Sequence, residues 1–278
     1  MLGKLMKYDL RYCLRRFVPL WIAALAMSAV CGLYFRLADN VSSNSFLMKL
    51  LVALLPSSLF VIFVSMGVMT LVFVCSRFYK GLLGDEGYLM HTLPVTAGAH
   101  IASKGLTALI LEIVSGLVTL LSGVLLVIVF DPVELSRGWQ EFLAMLRQIE
   151  IPAATPWLIA EGLLVCLAMT ATETLKIYAS ISIGHLAKRR RVLWAILAYI
   201  GISVALSTLF SAGISSGFIG RIIGDGSWGF FADSGTFTVY GLGKMARVMG
   251  LVLLWELLLG TGFFFLSRFI LQEHLNLE

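Results

Sequence analysis

Charge is what this sequence has least of. Of its 278 residues only 13% are Asp, Glu, Lys or Arg, whereas 59% are apolar and the mean hydropathy is +0.93. A soluble globular domain carries about 25% charged and about 45–50% apolar residues. The scarcity therefore excludes an ordinary soluble domain and points to a polytopic membrane protein. Metal-binding and disulfide patterns are missing too. Cys13, Cys31, Cys75 and Cys166 lie far apart and form no CxxC, which argues against a disulfide framework and against a zinc site. They read as small apolar fillers, and the four histidines are equally scattered. There is no HExxH, no GxSxG and no paired-glutamate motif of an intramembrane protease, so no catalytic residue and no metal ligand is expected. A phosphate-cradling loop is lacking as well. Gly243-Lys244 is followed by Met245, and Thr238 stands where such a loop needs glycine. If ATP is used, another chain binds it. No internal repeat is visible, the two halves lack the broken helices of an inverted-repeat transporter, and the alternation of an outer-membrane barrel is not seen.

What is present is long apolar runs. A bilayer core takes about 20 apolar helical residues. Six segments qualify, at about 17–35, 53–76, 105–130, 156–184, 192–215 and 245–267. Backbone groups must be satisfied internally in lipid, so each is expected to be a helix. The basic head is long, and the first run exceeds the roughly 7–15 residues of a signal-peptide core, so a cleaved signal is not expected. Ser28-Ala-Val-Cys31 resembles a lipoprotein site, but Val30 is too large for the residue before the cysteine.

The formal charge of +5 follows the run ends, as membrane anchors do, rather than a nucleic-acid patch. Thirteen lysines and arginines fall on the side holding both termini, the loop after span two and the Lys188–Arg191 cluster; seven fall on the other, and Lys176 lies inside span four. The positive-inside rule then puts both termini in the cytoplasm. Residues 1–16 read as an amphipathic helix, with Lys4, Lys7, Arg11 and Arg15 on one face and Leu2, Met6, Leu10 and Cys13 opposite. It is expected to lie in the headgroup layer, or to act as a plain positive-inside anchor. The expected fold is thus an all-α integral membrane protein of six transmembrane helices in one domain, 1–278, with both ends inside and an interfacial N-terminal helix. Two outside loops are long. Residues 131–155 contain an amphipathic stretch, Leu135 to Ile149, with Trp139, Phe142, Leu143 and Leu146 as its stripe. Residues 217–243 are rich in Gly, Phe and Trp, and Gly213, Gly217, Gly220 and Gly224 recur at close-packing intervals. They permit helix contact or a re-entrant turn; a flexible aromatic interface loop fits as well.

Few charges interrupt the spans. Glu161 falls near the outer interface. Glu112 falls in the inner half of span three, and Glu173 and Lys176 fall one turn apart in the inner half of span four, able to pair at i, i+3. Glu256 is the deepest, near the middle of span six, where an isolated ionised residue costs about 2.5–3.5 kcal/mol on insertion scales. It reads either as a pathway or gating residue or as a structural interhelical hydrogen bond.

Between spans two and three lies a water-compatible interruption, Phe78 to Pro94. Asp85 and Glu86 are costly in lipid, Gly84 and Gly87 permit sharp turns, and Tyr88, Leu89, Met90 and Leu93 make a one-turn apolar stripe closed by Pro94. A short helix with apolar knobs and an acidic edge suits a groove on a soluble protein; a plain connector folded on the membrane surface has the same composition.

Arg77-Phe-Tyr-Lys80 followed by Gly84-Asp-Glu-Gly-Tyr-Leu-Met-His-Thr-Leu-Pro-Val95, together with Leu5-Met-Lys-Tyr-Asp-Leu10, the six spans and the terminal Leu275-Asn-Leu-Glu278, resembles a permease subunit of the ABC-2 type ABC transporters of Gram-positive bacteria. The resemblance covers nearly the whole chain and is most specific over 77–95. It implies that 84–94 includes a cytoplasmic coupling helix, with Asp85, Glu86, Gly87, Tyr88, Leu89 and Met90 docking into a separate ATPase. It further implies ATP and magnesium on that partner, two permease chains, identical or paralogous, per transporter, and a bacterial cell membrane location. The expected function is ATP-driven export of an amphipathic or hydrophobic substrate such as a peptide, lipid or drug. The alternative is an ion- or proton-coupled secondary transporter or channel using Glu256, Glu112 and Glu173. An intramembrane enzyme would need a nucleophile or metal motif that the chain lacks.

Overall fold

The computed structural model describes residues 2–39, 46–83, 96–148, 155–187, 189–215, 229–233, 236–240 and 242–273. These form helices α1 (Leu2–Asp39), α2 (Phe46–Phe78), α3 (Ala97–Phe130), α4 (Pro132–Gln148), α5 (Thr155–His185), α6 (Arg191–Ser215) and α7 (Leu242–Glu273). A π-turn, Tyr79–Leu83, extends α2. Strands β1 (Gly229–Asp233) and β2 (Thr236–Tyr240) pair antiparallel, with Gly229 opposite Tyr240 and Asp233 opposite Thr236.

Among the described residues, six helices are long and apolar enough to cross a membrane, over Leu5–Leu37, Ser57–Gly81, Gly98–Phe130, Pro156–His185, Arg191–Gly213 and Gly243–Gln272. They coincide with the six apolar runs, the pattern of a multi-pass membrane protein. Their outward faces carry exposed aliphatic side chains, such as Val61, Val64, Val68, Leu71 and Val72 along α2. Such a face is stable against lipid and would be an aggregation surface in water.

The structure differs from the sequence expectations in three places. Residues 2–16 are not a separate element: α1 runs unbroken from Leu2 to Asp39, straight through Pro19. Cys13 and Phe17, on either side of the expected boundary, are both fully buried in one apolar cluster, and that packing holds the segment in line. Second, α3 starts at Ala97, so Lys104 is helical rather than part of the connecting loop. Thr96 caps it, its carbonyl accepting the N–H groups of Ala99 (2.9 Å) and His100 (3.2 Å) and its hydroxyl accepting Ala99 N–H (3.4 Å). Third, residues 229–233 and 236–240 of the 217–243 loop form a hairpin; Gly217, Gly220 and Gly224 lie outside the described residues, and Gly213 is in α6. The amphipathic stretch after span three is helical, as α4, with Trp139 exposed.

The chain divides into two compact units. The first comprises Met1–Val74 and Leu106–Leu146. Here α1 lies against α2 and α3 through Cys13, Phe17 and Trp21, which meet Met66, Phe73 and Leu111. Phe17 and Phe73 pack edge to face at 5.6 Å. Trp21 Nε1 donates to Ser115 Oγ at 3.1 Å, which satisfies the indole in an apolar setting. Farther along, Gly32 lets α1 touch α3: a Cβ there would stand 2.6 Å from the Leu126 carbonyl oxygen.

The second unit comprises Cys75–Gly105 and Arg147–Glu278. Its centre is α5, which packs on both α6 and α7. Within lipid no hydrophobic force drives helices together, so small residues and interhelical hydrogen bonds take over. Gly250 admits the Glu161 carboxylate, and Gly260 admits the Thr172 hydroxyl at 3.2 Å from its would-be Cβ. At the α5–α6 turn Gly184 is pressed onto Ala195, whose backbone atoms lie 2.5–2.6 Å from a Cβ at Gly184.

Candidate functional site

The second unit holds two groupings with chemical potential. One frames residues 84–95 from both ends. Phe78, the last residue of α2, is fully buried and stacks on Tyr178 of α5 at 4.1 Å with the rings 11° from parallel. Past it the backbone winds into the π-turn, an insertion often found where a helix carries function. Gly81 in that turn receives the ammonium of Lys104: its Nζ sits 2.6 Å from where a Cβ would stand. Lys104 is buried on α3, with His100 one turn before it, also buried, and Gly105 against the Tyr178 ring. Phe78 before the connector and Gly105 after it thus both meet Tyr178 of α5.

The other grouping lies inside α5. Lys176 Nζ donates to Glu173 Oε1 at 2.8 Å, the i, i+3 contact that the spacing allows. The same ammonium sits 4.9 Å from the ring centroid of Tyr199 on α6, whose hydroxyl is 3.4 Å from Glu173 Oε2. Lys176 is buried, whereas the Glu173 side chain is 57% exposed. The cation is thus neutralised by a carboxylate and covered by a ring, the arrangement a charge needs at membrane depth.

Glu256 stands apart from this pair. It is half-buried on α7, and its backbone carbonyl accepts the Thr172 hydroxyl at 3.0 Å. Among the described residues no side chain bonds its carboxylate. The interhelical hydrogen bond at this level therefore uses the main chain of Glu256 and the side chain of Thr172. Glu112 belongs to the first unit, half-buried on α3. The structure thus brings Glu173 and Lys176 together and does not join Glu256 to them. Asp85, Glu86, Gly87, Tyr88, Leu89 and Met90 lie outside the described residues.

Thr172, Tyr199 and Gly184 escaped the sequence reading. Thr172 precedes Glu173 in an apolar span, and nothing in its local sequence marks it as the residue that bonds α7. Between α5 and α6 the chain turns through Leu186 and Ala187, whose N–H groups return to Ile183 and Gly184. Arg190 adopts a positive φ of 57° there, at a cost of about 1–2 kcal/mol. Its carbonyl accepts Leu193 N–H (3.0 Å) and Trp194 N–H (3.2 Å), opening α6. No family model, no curated protein and no solved structure matches this chain.

Proposed function

We infer that this chain is the membrane-spanning permease subunit of an ATP-driven ABC transporter of the ABC-2 type, exporting an amphipathic or hydrophobic substrate. It sits in a bacterial cell membrane with both termini inside, beside a second permease chain, identical or paralogous. A separate ATPase binds the ATP and magnesium. The observation that carries this reading is the sequence of 77–95, an acidic, Gly-flanked segment between two spans. The geometry of its ends supports it. Before the segment Phe78 stacks on Tyr178 of α5, and Gly81 faces the Lys104 ammonium of α3, so α2 meets both neighbouring helices where the segment begins. Closure of an ATPase dimer on residues 84–94 would thus be passed to the spans as rigid-body motion. The permease itself performs no bond chemistry. Few fixed charges line the spans, which favours an apolar cargo.

The decisive experiment is affinity purification of the full chain from its native membrane in mild detergent, with mass spectrometry of what accompanies it. An ATPase is expected, lost with E86R or L89D at unchanged expression. Export by the purified chain in liposomes without any ATPase would refute the reading.

The membrane-embedded Glu173–Lys176–Tyr199 grouping favours a second reading, an ion- or proton-coupled transporter using Glu256, Glu112 and Glu173. On that reading the purified chain alone dissipates an ion gradient across liposomes, and E256Q or E173Q abolishes the leak.

A further inference from the structure

The turn between α5 and α6 borders an open groove of about 880 Å³, within the roughly 300–1,000 Å³ of small-molecule sites. Its lining has two chemistries. Arg189, Arg190 and Arg191 stand at the start of α6, and Val192, Ile196 and Leu197 continue from them along one side of that helix. The aliphatic residues are exposed, each with about half or more of its surface uncovered. Since α6 is apolar enough to cross a membrane from Arg191 to Gly213, the three arginines mark its interfacial end and the aliphatic wall runs inward. Backbone geometry keeps the cations there: Arg190 is held at positive φ, and its carbonyl is tied to α6.

We propose that this groove is a binding site for an anionic phospholipid, with the phosphodiester at Arg189–Arg191 and an acyl chain along Val192, Ile196 and Leu197. Guanidinium forks match phosphate oxygens in pairs, and basic pockets between membrane helices suit anionic headgroups. A soluble anion has no use for the aliphatic wall, and a zwitterionic lipid carries an ammonium that the three cations repel. Only a ligand with an anionic head and an apolar tail satisfies both halves. The proposal needs α6 to be a membrane helix, and it is independent of whether an ATPase drives the protein.

Native mass spectrometry of the full chain in detergent tests it, with phosphatidylglycerol or phosphatidylcholine added at matched concentrations. Phosphatidylglycerol is expected to be retained in clear preference. R189Q/R190G removes two cations while glycine keeps the positive φ, and retention is expected to fall about tenfold or more. I196W fills the groove without altering charge and is expected to lower retention as well, whereas R137Q/R247Q, which removes two exposed cations that the charge count places on the opposite side of the membrane, leaves it unchanged. If R189Q/R190G does not fold, I196W decides alone. Equal retention of the two lipids overturns the proposal, as does wild-type retention in I196W, the result expected if another part of the chain fills the groove. Full displacement of the lipid by inorganic phosphate overturns it too, since the groove would then hold a phosphate and no tail.

Discussion

Lys176 shows what a charge in an apolar helix requires. It is buried, and its compensation comes from Glu173 one turn away and from the Tyr199 ring on the next helix. Removing Glu173 leaves the buried Lys176 ammonium without its carboxylate, whereas removing both charges leaves no ion. E173A is therefore expected to destabilise the protein by about 0.5–1 kcal/mol, a modest loss because the carboxylate is more than half exposed. E173A/K176M is expected to recover most of that loss. Thermal unfolding in detergent measures both; equal melting points for the single and double variants would show that the pair carries no weight. Thr172 makes a second residue-level case. Its hydroxyl bonds the carbonyl of Glu256 and fits against Gly260. T172V keeps the shape and removes the donor, and a loss of about 0.5–1.5 kcal/mol is expected in the same assay.

At the scale of elements, two glycines set how closely helices cross. A methyl at Gly184 would meet the backbone N and Cα of Ala195, and one at Gly32 would meet the backbone oxygen of Leu126. Backbone cannot rotate away as a side-chain tip can. G184A and G32A are each expected to lower stability by about 1–3 kcal/mol, the usual cost of overpacking. G67A and G116A, where a methyl meets nothing within 4 Å, serve as controls and are expected to be neutral or slightly stabilising. Loss of stability in the controls equal to that in G184A would remove the close-packing explanation. Gly81 is a milder case, because the atom it faces is the mobile end of Lys104.

At the scale of the molecule, the proposed orientation has a direct test. Ser136 on α4 and Leu186 at the α5–α6 turn are both exposed and, by the charge count, lie on opposite sides of the membrane. In a cysteine-free background S136C is expected to react with a membrane-impermeant maleimide in intact cells. L186C is expected to react only after permeabilisation. The reverse pattern would invert the topology and put residues 84–94 outside, out of reach of any ATPase.

The spans were legible because each is a local property. Lipid supplies no hydrogen-bond partner, so any run of about 20 apolar residues must close its own backbone bonds as a helix. The Glu173–Lys176 contact was legible for the same reason, as both residues lie on one turn of one helix. Contacts between distant residues were not. Nothing near Cys13 in the chain says that it joins Phe73 and Leu111, and so that the amphipathic-looking 2–16 continues α1. Nothing near Lys104 says that a glycine in a π-turn receives its ammonium, so that a residue counted as a surface cation is buried. Nor does the order of residues announce that Arg189–Arg191 and the aliphatic face of α6 share one groove with Tyr79. Hydropathy determines which segments become membrane-spanning helices, because each segment meets lipid on its own. Which charges are neutralised, and where a ligand or partner finds a surface, depends on packing between segments far apart in sequence, and only the folded arrangement supplies it.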